Sequence, residues 1–356
     1  MTELSVSSSD STTVSAERQL ICRSFRKAFS GNRSVILHGR PAPDQVEDFA
    51  RSIASGLEAT PRRLECRFLY DSYGSALFEQ ITEQPEYYLT LSETSILAAN
   101  ASRIRELAGA ATLVELGSGS SAKIDYLLRA WLEGTARVCY IPVDVSESAL
   151  VGATSTIAAT HPTVKVIGMN CDYQEALPLI GQVSPALVLL LGSTIGNLST
   201  AEMSGFLTTM AGSMSSGDHF LVGIDLVKEP AQLEAAYNDA AGVTAKFTRN
   251  LFARMNRELG SDINTHYIEH VARYHTEREQ IEIFARFTKQ QTVYLAPLRR
   301  SFTVHDGEMV QTEVSRKFRL KSFIPYLKEF GFATEEVFTD QPGWFALLLL
   351  RRSPTN

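Results

Sequence analysis

The stretch V-E-L-G-S-G-S-S-A-K (114–123) lies between a β-rich run, ATLVEL (111–116), and a segment of helical spacing, IDYLLRAWLEG (124–134). Gly117 and Gly119 there permit a tight turn and let the backbone approach a ligand closely. Glu115 stands two residues before the first of them. Asp144 closes the next strand, where a carboxylate can take both hydroxyls of a ribose. Asp172 closes the strand after that, where a side chain reaches an adenine amino group. Acidic residues at the ends of three consecutive strands line the crevice in which parallel sheets bind ligands, although solvated strand ends would look the same. A dinucleotide fingerprint accepts Ala122 in its last position, so the turn alone leaves NAD open. Glu115, Asp172 and an antiparallel-looking final strand favour S-adenosylmethionine instead, a pattern that points to transfer of a methyl group.

After the fourth strand the sequence reads L-G-S-T-I-G-N-L (191–198), without the [DN]-P-P-[FY] motif of enzymes that methylate base or glutamine nitrogens. Asn197 offers one acceptor and two donors beside the expected methyl donor, enough to hold the amine and carboxylate of an amino acid together. Its plain alternative is a helix cap. Tyr87 and Tyr88, and Tyr70 and Tyr73 in FLYDSYGS, suit either a core or a cleft wall. His266 and His270 are four apart, as two metal ligands on a helix would be, but no HExxH exists and no third ligand is specified, so no metal is expected. Lys123 reads equally well as a solvated helix residue, and Trp131 and Trp344 as packing.

The elements that must position these residues form an alternating series. Strands are expected at 111–116, 136–145, 163–173, 185–192 and 218–227, with helices at 124–134 and 146–162, the second capped by Ser146 and stopped before Pro162. A helix at 322–332 and strands at 334–340 and 344–352 close the chain. Apolar strands alternating with helices imply a parallel, doubly wound α/β sheet. Two blocks stand outside that series, residues 18–110 and 228–318, the latter reading as a helix over 232–260 and strands over 280–295. The simplest architecture joins them as a second domain, with 111–227 and 319–352 making the first. Residues 1–17, rich in Ser and Thr, read as a disordered tail and not as a signal peptide.

Composition agrees with a reduced, globular chain. Of 356 residues, 44% are apolar and 21% charged, enough to bury a large core. The net charge of −6 argues against a nucleic-acid binder. The four cysteines are far apart with no CxxC, which suits cytosolic thiols. The longest apolar run is far short of the roughly 20 residues of a membrane span.

Several unusual blocks in one order then give a specific match. F-L-Y-D-S-Y-G-S-A-L-F-E (68–79), P-E-Y-Y-L-T (85–90), V-E-L-G-S-G-S (114–120), L-G-S-T-I-G-N (191–197), A-A-Y-N-D-A-A-G-V-T-A-K-F-T-R-N (235–250) and T-E-V-S-R-K-F (312–318) resemble the histidine-specific N-α-methyltransferases of ergothioneine biosynthesis. The resemblance spans the chain except its tail. It implies a class I methyltransferase fold, Rossmann-like, with a seven-stranded sheet and a second α+β substrate-binding domain. The implied activity is S-adenosylmethionine-dependent trimethylation of the α-amino group of L-histidine to hercynine. A family member acting on another free amino acid, such as tryptophan, is the alternative. By the same resemblance Asn197, Tyr87 and Tyr237 surround the substrate's carboxylate and amine, and Tyr70 and Thr244 neighbour the amine, partly through water. Glu313 and Ser315 recognise the imidazole, while Gly117, Lys123, Asp144 and Asp172 contact the donor. Ile283 replaces the family's usual Met in the imidazole wall, a change of similar volume. The expectation is a cytoplasmic monomer that needs no metal and binds neither nucleic acid nor membrane.

The chemistry so implied is in-line transfer from a sulfonium to a nitrogen lone pair, in which the protein mainly positions a neutral amine. Burial beside a cationic donor lowers an amine's pKa. No strong base stands out, so water held by Tyr70 or Thr244 is the expected proton exit, and tyrosine rings can favour the growing ammonium by cation–π contact. Glu313 and Ser315, two apart, are expected on one face of a strand.

Overall fold

The computed structural model describes residues 21–39, 42–119, 121–135 and 137–354. The expected tail, 1–17, lies outside them. In chain order the strands are β1 (Val35–His38), β2 (Thr112–Leu116), β3 (Val138–Asp144), β4 (Val164–Asn170), β5 (Ala186–Leu190), β6 (His219–Asp225), β7 (Ile268–His275), β8 (Gln280–Phe287), β9 (Gln291–Leu295), β10 (Arg300–Val304), β11 (Met309–Arg316), β12 (Phe332–Thr339) and β13 (Phe345–Arg352).

The large sheet runs β1-β4-β3-β2-β5-β6-β13-β12. Its pairs are parallel from β1 to β6, and β13 is antiparallel to both β6 and β12. β5 and β6 are buried at every position, as strands covered on both faces must be. Alternation splits them between two cores: Leu187, Leu189 and Leu221 enter one cluster, Val188, Leu190 and Val222 the other. The first cluster continues without a break into the smaller β11-β8-β7 sheet through Phe247, Ile281 and Ile283.

Four features differ from the sequence reading. Among the described residues the sheet has eight strands, not seven. The extra one, β1, comes from the 18–110 block assigned to the other domain, and it pairs in parallel with β4. Its four residues, V-I-L-H, are too few to show a period. The expected helix at 232–260 is two, Pro230–Ala235 and Val243–Leu259. Between them Asp239 accepts the Val243 and Thr244 N–H groups at 2.6 and 2.8 Å, and Gly242 adopts φ +68°. That is a helix start, not a helix interior. Finally, His266 and His270 do not share a helix: His266 lies in the 3-10 turn Thr265–Tyr267 and His270 on strand β7. The His270 ring bonds to the Tyr237 carbonyl at 2.9 Å and the Thr248 hydroxyl at 2.9 Å, so it is a packed core group.

The 228–318 block leaves the large sheet and returns to it at one place. Leu226 and Phe318 form a parallel bridge, with the Val227 N–H donating to the Phe318 carbonyl and the Phe318 N–H to that of Asp225, at 3.0 and 2.8 Å.

Candidate active site

The Gly-rich turn follows β2 as expected. Gly117 and Gly119 adopt φ +75° and +51°, and a Cβ on Gly117 would meet the Tyr173 hydroxyl at 2.7 Å. The turn is fixed by Asp144, whose two carboxylate oxygens accept the Gly119 and Ser146 N–H groups, each at 2.9 Å. Each oxygen keeps a lone pair toward the crevice, so the same carboxylate can still accept from two ribose hydroxyls. Glu115 lies beneath the turn, buried, and accepts from the Tyr140 hydroxyl. Burial pushes its carboxyl up to about 7, against the opposing pull of Tyr140 and Lys123. It therefore supports the turn rather than lining the crevice. Asp172 caps the helix Tyr173–Ile180 and borders a hollow with Tyr70, Val145 and Asn170.

Lys123 is not a solvated residue. Its ammonium lies 2.5 Å from Glu93, a fully buried carboxylate that also accepts the Gly192 N–H at 2.8 Å. The pair ties the helix after the Gly-rich turn to the end of β5. Sequence reasoning missed Glu93, because nothing in the middle of the helix Tyr88–Ala108 marks one glutamate as buried.

The substrate side is assembled from three distant segments. Gly192 and Ser193 both take positive φ, turning the chain after β5 into the short 3-10 helix Thr194–Asn197. A Cβ on Gly196 would lie 2.9 Å from the Arg316 carbonyl, so only glycine lets β11 pass this close. The result is a direct hydrogen bond, Asn197 Nδ2 to Glu313 Oε1 at 2.8 Å. Asn197 is not a helix cap; Ser199 caps the next helix through a capping box with Glu202. The second N–H of the amide meets only the Cys66 sulfur, a weak acceptor at 3.8 Å, and the amide carbonyl oxygen is left for a ligand.

On β11 a bulge falls between Gln311 and Glu313, after which Glu313 pairs with Ile283 and Ser315 with Ile281. Glu313 and Ser315 thus share a face, and Ile283 stands directly across from Glu313. Ser315 Oγ and Tyr237 Oη are 2.8 Å apart. The Tyr237 ring meets that of Tyr87 edge-on at 6.1 Å. The FLYDSYGS block delivers Tyr70: Asp71 caps the helix Ser72–Thr82 through the Gly74 N–H at 2.7 Å, and a Cβ on Gly74 would meet the Leu69 carbonyl at 1.8 Å. The Tyr70 ring then packs at 5.3 Å on Phe247, one turn after Thr244. Thr244's hydroxyl is buried without a well-formed hydrogen bond. Tyr73 points outward, 58% exposed, while Tyr88 turns away to Asp225. Trp131 donates to the Ala111 carbonyl, a packing role.

Burial holds the phenols of Tyr70, Tyr87 and Tyr237 well above the usual tyrosine range, and nearby carboxylates including Glu313 push the same way. All three therefore act as neutral hydroxyls, and none is a base. Glu313 is itself pushed up to about 7 by burial, against Asn197 and Lys317. Cys66, which touches the Asn197 amide through sulfur at 3.8 Å, is pushed up to about 12 by burial and is a thiol, not a nucleophile.

A sheet with a parallel body and one antiparallel strand inserted before the far edge, a glycine turn after its central β2 and carboxylates at successive strand ends define a class I methyltransferase. The chain belongs to the family of histidine-specific, S-adenosylmethionine-dependent methyltransferases, whose model matches residues 49–352. It is 42% identical to the histidine N-alpha-methyltransferase of Mycolicibacterium smegmatis, over 87% of this chain and 97% of that one. It is 40% identical to that of Mycobacterium tuberculosis, over 84% and 93%. Ergothioneine biosynthesis protein 1 of Neurospora crassa is 28% identical over 76% of this chain and 30% of its own length. Among solved structures, the CcbJ methyltransferase of Streptomyces caelestis aligns with a TM-score of 0.40 and 14% identity, covering 72% of this chain and 90% of that one. No helix among the described residues is long and apolar enough to cross a membrane.

Proposed function

We propose that this chain methylates the α-amino group of L-histidine three times to give hercynine, in ergothioneine biosynthesis. The observation that carries the reading is the 2.8 Å contact between Asn197 and Glu313. That contact joins an amide suited to an amino acid's head group to a carboxylate suited to an imidazole N–H. S-adenosylmethionine, when bound, supplies a methyl group on a sulfonium.

The protein's part is to position a neutral amine. Asn197 takes the carboxylate and amine, with Tyr87 and Tyr237 completing the head-group site. Glu313 accepts a ring N–H, Ser315 meets the other nitrogen, and Ile283 forms the wall. Gly117, Asp144 and Asp172 hold the adenosyl group, and Lys123 braces that site through Glu93. The neutral phenol of Tyr70 and the buried hydroxyl of Thr244 hold the water through which the amine sheds its proton before each transfer. Edge and face contacts of the tyrosines favour the growing ammonium, worth about 0.5–2 kcal/mol. In this reading residues 228–318 and most of 18–110 form the substrate domain, and the chain works as a cytoplasmic monomer without a metal.

Incubating the protein with S-adenosylmethionine and each free amino acid, then weighing the products, tests the proposal. A gain of three methyl groups on histidine is expected. A gain on tryptophan alone, or on no amino acid, refutes it.

A further inference from the structure

Behind Ser315 and Tyr237 lies a fully buried ammonium, that of Lys317. It donates to Tyr237 Oη at 2.9 Å, to Ser315 Oγ at 2.8 Å and to Asp225 Oδ2 at 2.8 Å. An ammonium has three donors and no acceptor, so its capacity is complete. Asp225 is further held by the Tyr88 hydroxyl at 2.7 Å and by Lys228. The other groups around Lys317 are Glu313 on its own strand and Tyr274 on β7. Lys317 and Lys228 thus stand against Asp225 and Glu313, and the Lys317 ammonium is the charge set directly behind Ser315.

The hydrogen count leaves two directions for the Tyr237–Ser315 bond, and donor strength chooses between them. Tyr237 Oη and Ser315 Oγ each accept from Lys317 and share one further bond. A phenol is the better donor and an alcohol the better acceptor, so Tyr237 donates to Ser315. Both lone pairs of the serine oxygen are then taken, by Lys317 and by Tyr237. What remains is its O–H, which can only donate.

We propose that Lys317 is a positioning residue that makes Ser315 an obligate donor, so that the site accepts histidine only with a neutral imidazole. The inference rests on the placement of the ring between Glu313 and Ser315. A neutral ring has one N–H, for Glu313, and one bare nitrogen, for Ser315. An imidazolium has two N–H groups, and the second finds no acceptor there and a positive charge behind. The pocket thereby rejects a protonated ring by hydrogen-bond count.

Ring-15N-labelled L-histidine bound to the full chain with S-adenosylhomocysteine at pH 6 gives the direct test. One protonated and one bare ring nitrogen are expected in the bound signal, at a pH where free histidine is largely protonated. Two protonated nitrogens overturn the proposal. If histidine does not bind at all, the proposed function itself fails. Lys317→Met gives a second readout: the histidine KM at pH 8 rises roughly tenfold while S-adenosylhomocysteine affinity holds. Adding Lys317→Met to Ser315→Ala costs little more, because the lysine acts through the serine. Independent, multiplying losses overturn the proposal. Should Lys317→Met lose S-adenosylhomocysteine binding through misfolding, the wild-type spectrum decides.

Discussion

Replacing Glu313 with Gln changes one charge and almost no volume, and the structure says what that charge does at each pH. Gln keeps an oxygen for the Asn197 amide and for a ring N–H. A hydrogen bond to a charged group contributes about 1.5–3 kcal/mol and a neutral one about 0.5–1.5. The difference of about 1.4 kcal/mol is about tenfold in affinity. That advantage exists only while Glu313 is ionised. Burial holds its carboxyl at about 7 in the free protein. It is then about nine-tenths ionised at pH 8 and about one-tenth at pH 6. Wild type should therefore exceed Glu313→Gln about tenfold in kcat/KM for histidine at pH 8 and barely at all at pH 6. Histidine's own titration affects both proteins equally and cancels in the ratio. Initial rates at saturating S-adenosylmethionine and subsaturating histidine, taken every half pH unit, measure it. A ratio that stays constant across that range refutes the reasoning, because Glu313 would then either titrate elsewhere or not meet the ring.

Three further perturbations follow from the geometry. Asn197→Ala should abolish most methylation of histidine while S-adenosylmethionine affinity, by calorimetry, changes little; an equal loss of both contradicts a head-group role. Gly196→Ala places a Cβ 2.9 Å from the Arg316 carbonyl, an overpacking cost of about 1–3 kcal/mol. β11 must shift from Asn197, so the histidine KM should rise with donor affinity kept, and an unchanged KM contradicts the close approach. Glu115→Gln tests the buried acid under the turn, whose carboxyl stands at about 7 when folded against an ordinary 4.5. Between those values the folded chain holds a proton the unfolded chain has released, so wild-type stability falls as pH rises through that window. The loss is up to about 3 kcal/mol. Urea titrations at pH 5 and pH 8 should show a smaller decline in the Gln variant than in wild type, the remainder coming from Glu313, which titrates in the same window.

The fold's central part was legible because its strands are short, uniformly apolar and punctuated by glycine and acidic residues. The site was legible where a motif carries its own geometry, as in the turn at Gly117 and the glycine–asparagine pair at 196–197. What escaped is what depends on distant partners. β1 is four residues whose only reason to be a strand is the free edge of β4, more than a hundred residues later. Glu93 and Lys123 explain each other only once helix and turn are packed together. Lys317 sits in a quoted motif, T-E-V-S-R-K-F, yet nothing in that string says its ammonium is buried. That follows from Asp225 at the end of β6 and Tyr237 from another segment. The break at 236–242 hid inside a run of alanines and polar residues whose helical propensity overrode the weak signal of Asp239 and Gly242.

The bridge between Leu226 and Phe318 bears on how such an enzyme can be altered. The long excursion that carries Tyr237, Ile283, Glu313 and Ser315 is clipped shut at its base, as the two ends of a purse are. Whatever lies beyond the clip can be rebuilt without moving the strands that hold the adenosyl group. The clip is not neutral, however: Asp225 sits in it and takes its counter-charges from Lys228 and Lys317, both inside the excursion. A transplanted segment from a relative with another side-chain preference must bring its own cation to that point or leave a buried carboxylate under-compensated. Chimeras that cross over at residues 226 and 318 should therefore fold or fail according to the residues they carry at 228 and 317.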